Sequence, residues 1–386
     1  MKINEVTEPR KVDTSSIVTP DLKEIFRAFE AAGKNIKIAG GAVRDLLLGK
    51  EPKDIDLATD ATPDEMKEIL AGFRTIDTGL EHGTITVLGR NEGEEFEITT
   101  LRIDVATDGR HADVEWTTDF RQDADRRDLT FNAMFMDLDG TLHDFHGGEK
   151  DLYSGTARFV GNAQNRIEED FLRILRFFRF QGRMKFPKWD QETLHTIKRT
   201  ADGLKQISGE RVAMEMEKIL KGKHTIDLLE KMDETGILDI IGFKPNLKKL
   251  EQVKKVTDDF ATLLAASVGS TKKIEDIKAR WKLSNTITDS ATFVLDNADV
   301  GKDETTLKVL AAKPKTKIND AARIALFNED KPLAKMIVKW EPPVFPITGK
   351  DLIARGVKPG KEMGMMLADL RKKWEDSGFP NDFSID

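Results

Sequence analysis

The spacing of apolar positions changes character about a third of the way along the chain. Up to about residue 146, short runs with a period of two predict strands at Lys37-Ile38-Ala39, Asp54–Leu57, Thr84–Leu88, Glu95–Leu101, Phe135–Leu138 and Leu142–Phe145. Polar, glycine-containing turns at Gly89–Gly93 and Asp139-Gly140 join the last four as two hairpins. Helical spacing is predicted over Leu22–Ala32, Ala42–Leu48 and Pro63–Ala71. The last of these opens on a capping box, Thr62-Pro63-Asp64-Glu65. Residues 102–120 are polar and read as a loop.

From about residue 147 strand signals fade and amphipathic helices take over. Examples are Arg166–Gly182, Ile226–Met232 and Lys248–Leu264. The expected fold class is α+β: a head with a small mixed sheet, followed by all-α domains. The expected division is 1–146 for the head, 147–222 for a helical neck, 223–300 for a body and 301–386 for a tail. Residues 265–340 carry no motif.

Composition narrows the setting. The 386 residues are 39% hydrophobic and 33% charged, and no apolar run approaches membrane-spanning length. With no cysteine, disulfides and thiolate metal sites are excluded, which fits a reducing cytoplasm, the expected location. A formal net charge of -7 argues against coating nucleic acid generally, so any RNA site must be a local basic patch.

Chemistry concentrates in KIAGGAVRDLLLGKEPKDIDLAT, residues 37–59. Gly40-Gly41 lets backbone amides approach an anion at the start of a helix, and Arg44 in its first turn can add a bidentate phosphate contact. Asp54 and Asp56, two apart on a strand, project together and call for a cation between them. Mg²⁺ suits oxygen ligands shared with a substrate triphosphate. Glu97 either joins them as a third carboxylate or is an ordinary exposed strand residue. His143 and His146, three apart and with no further ligand, make a poor metal pair.

The helix over Arg166–Gly182 is apolar nearly all round, with one arginine stripe: Arg173, Arg176, Arg179 and Arg183. So buried a helix is expected to keep that stripe wet, against a ligand or between domains. Asp170 accepts hydrogen bonds and Arg173 donates them. Such a pair suits cytosine and adenine, each with an amino group beside ring acceptors, and clashes with uracil and guanine.

GGAVRD followed by DID resembles the DNA polymerase β-like nucleotidyltransferase superfamily. The closer resemblance is to its class II branch, the CCA-adding tRNA nucleotidyltransferases and bacterial poly(A) polymerases. The resemblance implies that Asp54, Asp56 and Glu97 are catalytic, and that Gly40, Gly41, Arg44 and Arg127 hold the triphosphate. Arg126–Ala133 (RRDLTFNA) resembles the ribose-recognition motif, with Phe131 where a smaller residue is more usual. Asp128 and Asn132, four apart, share a face if helical and would bind ribose. Asp108-Gly109-Arg110 resembles the family's flexible loop. Glu169-Asp170-Phe-Leu-Arg173 resembles the base-selecting motif, with Glu169 orienting Arg173 and Arg176 following it. Gly209-Glu210-Arg211 with Glu215 resembles a structural helix start, and residues 346–360 resemble the closing segment of bacterial relatives.

The implied activity is addition of CMP, CMP and AMP to a tRNA 3′ end from CTP and ATP, with Mg²⁺ and pyrophosphate release. No membrane and no obligate protein partner are expected. Poly(A) polymerase, a partial CC-adding or A-adding enzyme, and a catalytically dead RNA binder are the alternatives. Glu81-His82-Gly83-Thr84-Ile85 stands where poly(A) polymerases usually carry a basic segment.

Overall fold

A computed structural model describes residues 10–79, 83–91, 93–107, 112–299, 302–313 and 316–385. Glu81, His82 and the expected flexible loop Asp108-Gly109-Arg110 lie outside the described residues. The chain forms two compact units, Met1–Ile207 with Lys231–Ile240, and Ser208–Glu230 with Ile241–Asp386.

The first unit opens with helix α1 (Pro20–Ala31), started by the Thr19 hydroxyl, which accepts from Leu22 N, and by Pro20 in the first turn. Strand β1 (Ile36–Ala39), helix α2 (Gly41–Leu47), strand β2 (Ile55–Thr59) and helix α3 (Pro63–Ile69) follow, the last with the expected capping box. Strands β3 (Thr75–Gly79), β4 (Thr84–Leu88) and β5 (Glu95–Thr100) lead to a separate ribbon of β6 (Arg102–Thr107) and β7 (Ala112–Trp116). Helix α4 (Phe120–Asp125), a 3-10 turn (Thr130–Asn132), strands β8 (Phe135–Met136) and β9 (Leu142–His143), and helices α5 (Gly148–Ser154), α6 (Ala163–Glu169), α7 (Leu172–Gln181) and α8 (Gln191–Thr200) complete its main part.

The main sheet has seven strands in the order β3-β4-β5-β2-β1-β8-β9, and it is mixed because β2 runs parallel to β5 while the other pairs are antiparallel. Parallel pairing sets Asp56 directly beside Glu97. Side chains in register across a ladder share a face, so the topology brings two distant acids together.

Four expectations need correction. The stretch 102–120, expected as a loop, holds the ribbon strands β6 and β7: Ile103 and Val105, and Val114 and Trp116, alternate with polar neighbours, a signal hidden in a segment that is polar overall. Strand β3 was not foreseen, because it sits at the sheet edge and its one large apolar residue, Ile76, is half exposed. The helix expected over 166–182 is two helices, broken where Asp170 turns extended (φ -155°, ψ 104°) and accepts from Leu172 N to start α7. The helix expected over 248–264 is likewise two, α12 and α13 below.

In the second unit α9 (Gly209–Lys221) begins after Ser208, as the Gly-Glu-Arg motif implies. It is followed by α10 (Thr225–Glu234), which crosses the unit boundary, α11 (Ile237–Ile241), α12 (Leu247–Lys254), α13 (Phe260–Val268), α14 (Thr271–Trp281), α15 (Asn285–Asn297), α16 (Glu304–Ala312), α17 (Ile318–Phe327), α18 (Lys331–Lys339), α19 (Gly349–Ala354) and α20 (Lys361–Asp376). Every residue of α13 is buried, and α9, α12, α14, α15 and α17 pack around it. Asp259 starts that helix by accepting from Thr262 N and is held by Arg323. Among the described residues, no helix is long and apolar enough to cross a membrane.

Candidate active site

Gly40 adopts φ 55°, a left-handed value that glycine takes without strain. A β-carbon here would lie 2.9 Å from Arg127 Nη1 and 3.2 Å from Asn132 O. Glycine thus lets the 127–132 segment close onto the turn between β1 and α2. Arg127 is fixed there: it is 2.9 Å from Asp123 Oδ2, donates from Nη1 to Asn132 O (3.1 Å), and lies 4.7 Å from the Phe135 ring centroid.

The acidic edge stands opposite in character. Asp54 lies in the bend just before β2 rather than within the strand, and Asp56 is its second residue. Asp54, Asp56 and Glu97 are all exposed. Asp56 is solvent-accessible yet densely surrounded by protein. That burial, reinforced by Asp54, raises its pKa against the opposing pull of Arg127 and Arg44. Glu97 is raised by burial, then by Asp56 and Asp54. The three acids therefore feel one another's charge.

Among the described residues, no three acidic or histidine side chains form a closed metal cage. An open pair of hard oxygen donors fits Mg²⁺, which is commonly held by one or two carboxylates and by substrate phosphates. His143 and His146 do not add to it: His143 contacts Asp137 (2.7 Å) and His146 contacts Asp125 (2.9 Å).

The ribose motif is not an α-helix. Asp128 precedes the 3-10 turn that contains Asn132, and the turn brings the two together through Asn132 Nδ2–H to Asp128 Oδ1 (3.1 Å). Asp128 is buried, which alone would raise its pKa. Arg176 and Asn132 outweigh that and hold it low. Asn132 Oδ1 accepts from Arg44 Nη1 at 2.8 Å. Arg44 is only 4% exposed and also pairs with Asp45 at 2.9 Å. Where an open phosphate contact was expected, Arg44 forms a buried brace beside the motif, with three of its five N–H donors spent on Asn132 and Asp45.

At the start of α7, Arg173 Nη1 donates to Glu169 Oε2 (2.5 Å) and to Arg166 O (3.0 Å). Its Nη2 donates to Arg126 O (3.2 Å), tying this corner to the ribose motif. Arg176, expected among the base readers, instead donates from Nε to Asp128 Oδ2 (2.7 Å). The wet arginine stripe holds only in part: Arg183 is exposed and Arg173 and Arg176 are half-buried. Arg179 is buried, and Arg44, Arg176, Arg179 and Arg183 all lie 4.2–5.4 Å from the Phe180 ring centroid. The aromatic ring offers the buried Arg44 and Arg179 a favourable partner that periodicity alone does not reveal.

Comparisons with known proteins decide the kinship. The profile of the poly A polymerase head domain matches residues 36–158, and that of the probable RNA and SrmB-binding site of polymerase A matches residues 188–250. Over 385 residues the chain is 40% identical to CCA tRNA nucleotidyltransferase 1, mitochondrial, of Homo sapiens, covering 94% of this chain and 88% of that one. The chain belongs to the class II CCA-adding and poly(A) polymerase family. A CCA-adding enzyme of Levilactobacillus brevis is 32% identical over 380 residues, covering 93% and 94% of the two chains. The crystal structure of Bacillus stearothermophilus CCA-adding enzyme in complex with CTP superimposes with a TM-score of 0.72 at 27% identity, over 93% and 94% of the two chains.

Within this nucleotidyltransferase family frame, one organising residue escaped the sequence reading. Asp123 is buried and binds both Arg126 (2.7 Å) and Arg127 (2.9 Å). Burial opposes its ionisation, but the two arginines keep its pKa low. Its spacing of three and four from those arginines, which follow directly on α4, was the available signal.

Proposed function

We propose that this nucleotidyltransferase rebuilds the CCA end of tRNA, adding CMP twice and AMP once from CTP and ATP and releasing pyrophosphate. The observation that carries this choice over poly(A) synthesis is the kinship itself: relatives 32–41% identical, matched over most of both chains, are named for CCA addition. Partial CC-adding or A-adding activity has no comparable support.

The residues divide the work. Backbone amides at Gly40 and Gly41, with Arg127 beside them, receive the triphosphate. Asp54 and Asp56 hold divalent cations, with Glu97 next to them, and Mg²⁺ is the ion we propose. When bound, such ions favour loss of the RNA 3′-hydroxyl proton and stabilise the charge on the departing pyrophosphate. The attacking oxygen forms its bond to the α-phosphorus as the bond to the bridging oxygen breaks. Arg44 acts through Asn132 and through its field on Asp56. Asp128 and Asn132 form the ribose corner. Asp170 and Arg173, the latter steadied by Glu169, read the base.

We retain the division into head, neck, body and tail at 146, 222 and 300, with the tail contacting tRNA and Asp108-Gly109-Arg110 as a flexible loop. A cytoplasmic location is our reading, and a mitochondrial one is the alternative that the human relative's name raises; cell fractionation decides between them. The activity test is incubation with Mg²⁺, single labelled nucleotides and tRNA lacking its terminal residues. Two CMP followed by one AMP is the expected product. Long A tracts, or no product, would overturn the proposal.

A further inference from the structure

Asp128 was expected to meet a ribose hydroxyl, but its carboxylate is saturated. Oδ1 accepts from Leu129 N (2.8 Å) and Asn132 Nδ2 (3.1 Å), and Oδ2 accepts from Arg176 through Nε and Nη2, both at 2.7 Å. A carboxylate offers about four acceptor positions, so these donors fill it. Asn132 is different. Its Oδ1 is held by Arg44 and its backbone carbonyl by Arg127, while Nδ2 spends one N–H on Asp128. Among the described residues no hydrogen bond uses the second N–H.

We propose that Arg176 is a positioning residue for sugar selection: by locking Asp128 it fixes the amide of Asn132, whose remaining N–H meets the ribose 2′-hydroxyl. The chain of contacts runs Arg176–Asp128–Asn132–Arg44, and both of its ends lie against Phe180. Held at both ends, the amide cannot turn its N–H away. Arg173, one turn earlier on α7, reaches Arg126 O instead. Neighbouring arginines on one helix thus serve different choices, base for Arg173 and sugar for Arg176. A site built to donate to a substrate hydroxyl rejects the analogue lacking it, because the donor is then left unpaired in a buried place.

This inference rests on the ribose reading of residues 128–132, and the test separates the two. In the full-length protein with truncated tRNA, kcat and KM are measured for CTP, dCTP and UTP in the wild type, Asn132→Ala, Arg176→Met and Arg176→Lys. Asn132→Ala is expected to lower the CTP:dCTP preference. Arg176→Met is expected to lower it about tenfold, mainly through kcat, with the CTP:UTP preference unchanged. Arg176→Lys should restore part of the loss, and it carries the test alone if Arg176→Met does not fold. An unchanged sugar preference in Asn132→Ala overturns the ribose reading and this inference with it. A fall in Asn132→Ala without one in the Arg176 variants overturns the positioning role alone. A fall in CTP:UTP preference in the Arg176 variants would make Arg176 a base reader and overturn it as well.

Discussion

Two acidic groups in the first unit stand in contrast. Asp123 and Asp128 are buried and wrapped by arginines, and their pKa values are held low. Asp56 and Glu97 are exposed, neighbour other acids, and have raised pKa values. Among the described residues the first group is ion-paired with the chain's own arginines, whereas the second has acids for neighbours and Arg127 and Arg44 act on Asp56 through their field. A protein keeps mutually repelling carboxylates in register across a ladder only at a cost in stability, and an arriving cation offsets that cost. The paired acids thus have a structural partner in the chain, and the repelling ones are those we propose to hold a divalent ion.

The sharpest way to break this comparison is to remove one acid from each group. Asp54→Ala or Asp56→Ala should lower nucleotide incorporation about 10³-fold or more while circular dichroism stays as in wild type and the urea midpoint does not fall. Near-wild-type turnover in either variant would remove the metal assignment. Asp128→Ala should do the reverse to stability, costing about 3–5 kcal/mol in urea unfolding, because Arg176 is left as an uncompensated, partly buried charge. The sign with pH follows from its lowered pKa. The stabilisation from Asp128 is fully present above the ordinary carboxylate range and is lost as pH falls through its depressed value. A urea midpoint for Asp128→Ala equal to wild type at neutral pH would show that the network is decorative.

A smaller effect is expected at the base-reading corner. Arg173→Ala should reduce the preference for CTP over UTP by roughly tenfold, with a lesser change in triphosphate affinity. Equal discrimination in the variant would reject the role. The same substitution removes hydrogen bonds to Glu169, Arg166 O and Arg126 O. The thermal midpoint of the variant therefore separates loss of reading from loss of the corner.

What was legible in the sequence was local. Gly40-Gly41, the period-two run containing Glu97, the capping box at Thr62 and the Glu169–Arg173 spacing each announce a structure within a few residues. What was not legible depended on partners far along the chain. Arg44 reads as a phosphate ligand with no hint of its bond to Asn132, and Arg176 as a base contact with no hint of its pairing with Asp128. Residues separated by 88 and 48 positions leave no periodic trace. Asp170 shows the limit at short range too: apolar residues continue through it, yet its side chain starts a new helix at Leu172.

The finest test concerns the metal-free protein. Raised carboxylate pKa values mean that the folded state holds protons more tightly than the unfolded chain. The stabilising influence of protonation at Asp56 is therefore fully present at low pH and is lost as pH rises through the raised value. At neutral pH the ionised group opposes folding. Asp56→Asn, similar in shape but uncharged, should raise the thermal midpoint of the protein stripped with chelator. The gain should shrink to nothing below the ordinary carboxylate range, where the wild type is itself protonated. Adding Mg²⁺ with CTP should reverse the order, since only the wild type gains from binding. A chelated Asp56→Asn protein that melts at or below the wild-type temperature at neutral pH would mean that neither burial nor the neighbouring acid disfavours the ionised Asp56. The contrast with Asp123 and Asp128 would then lose its electrostatic basis.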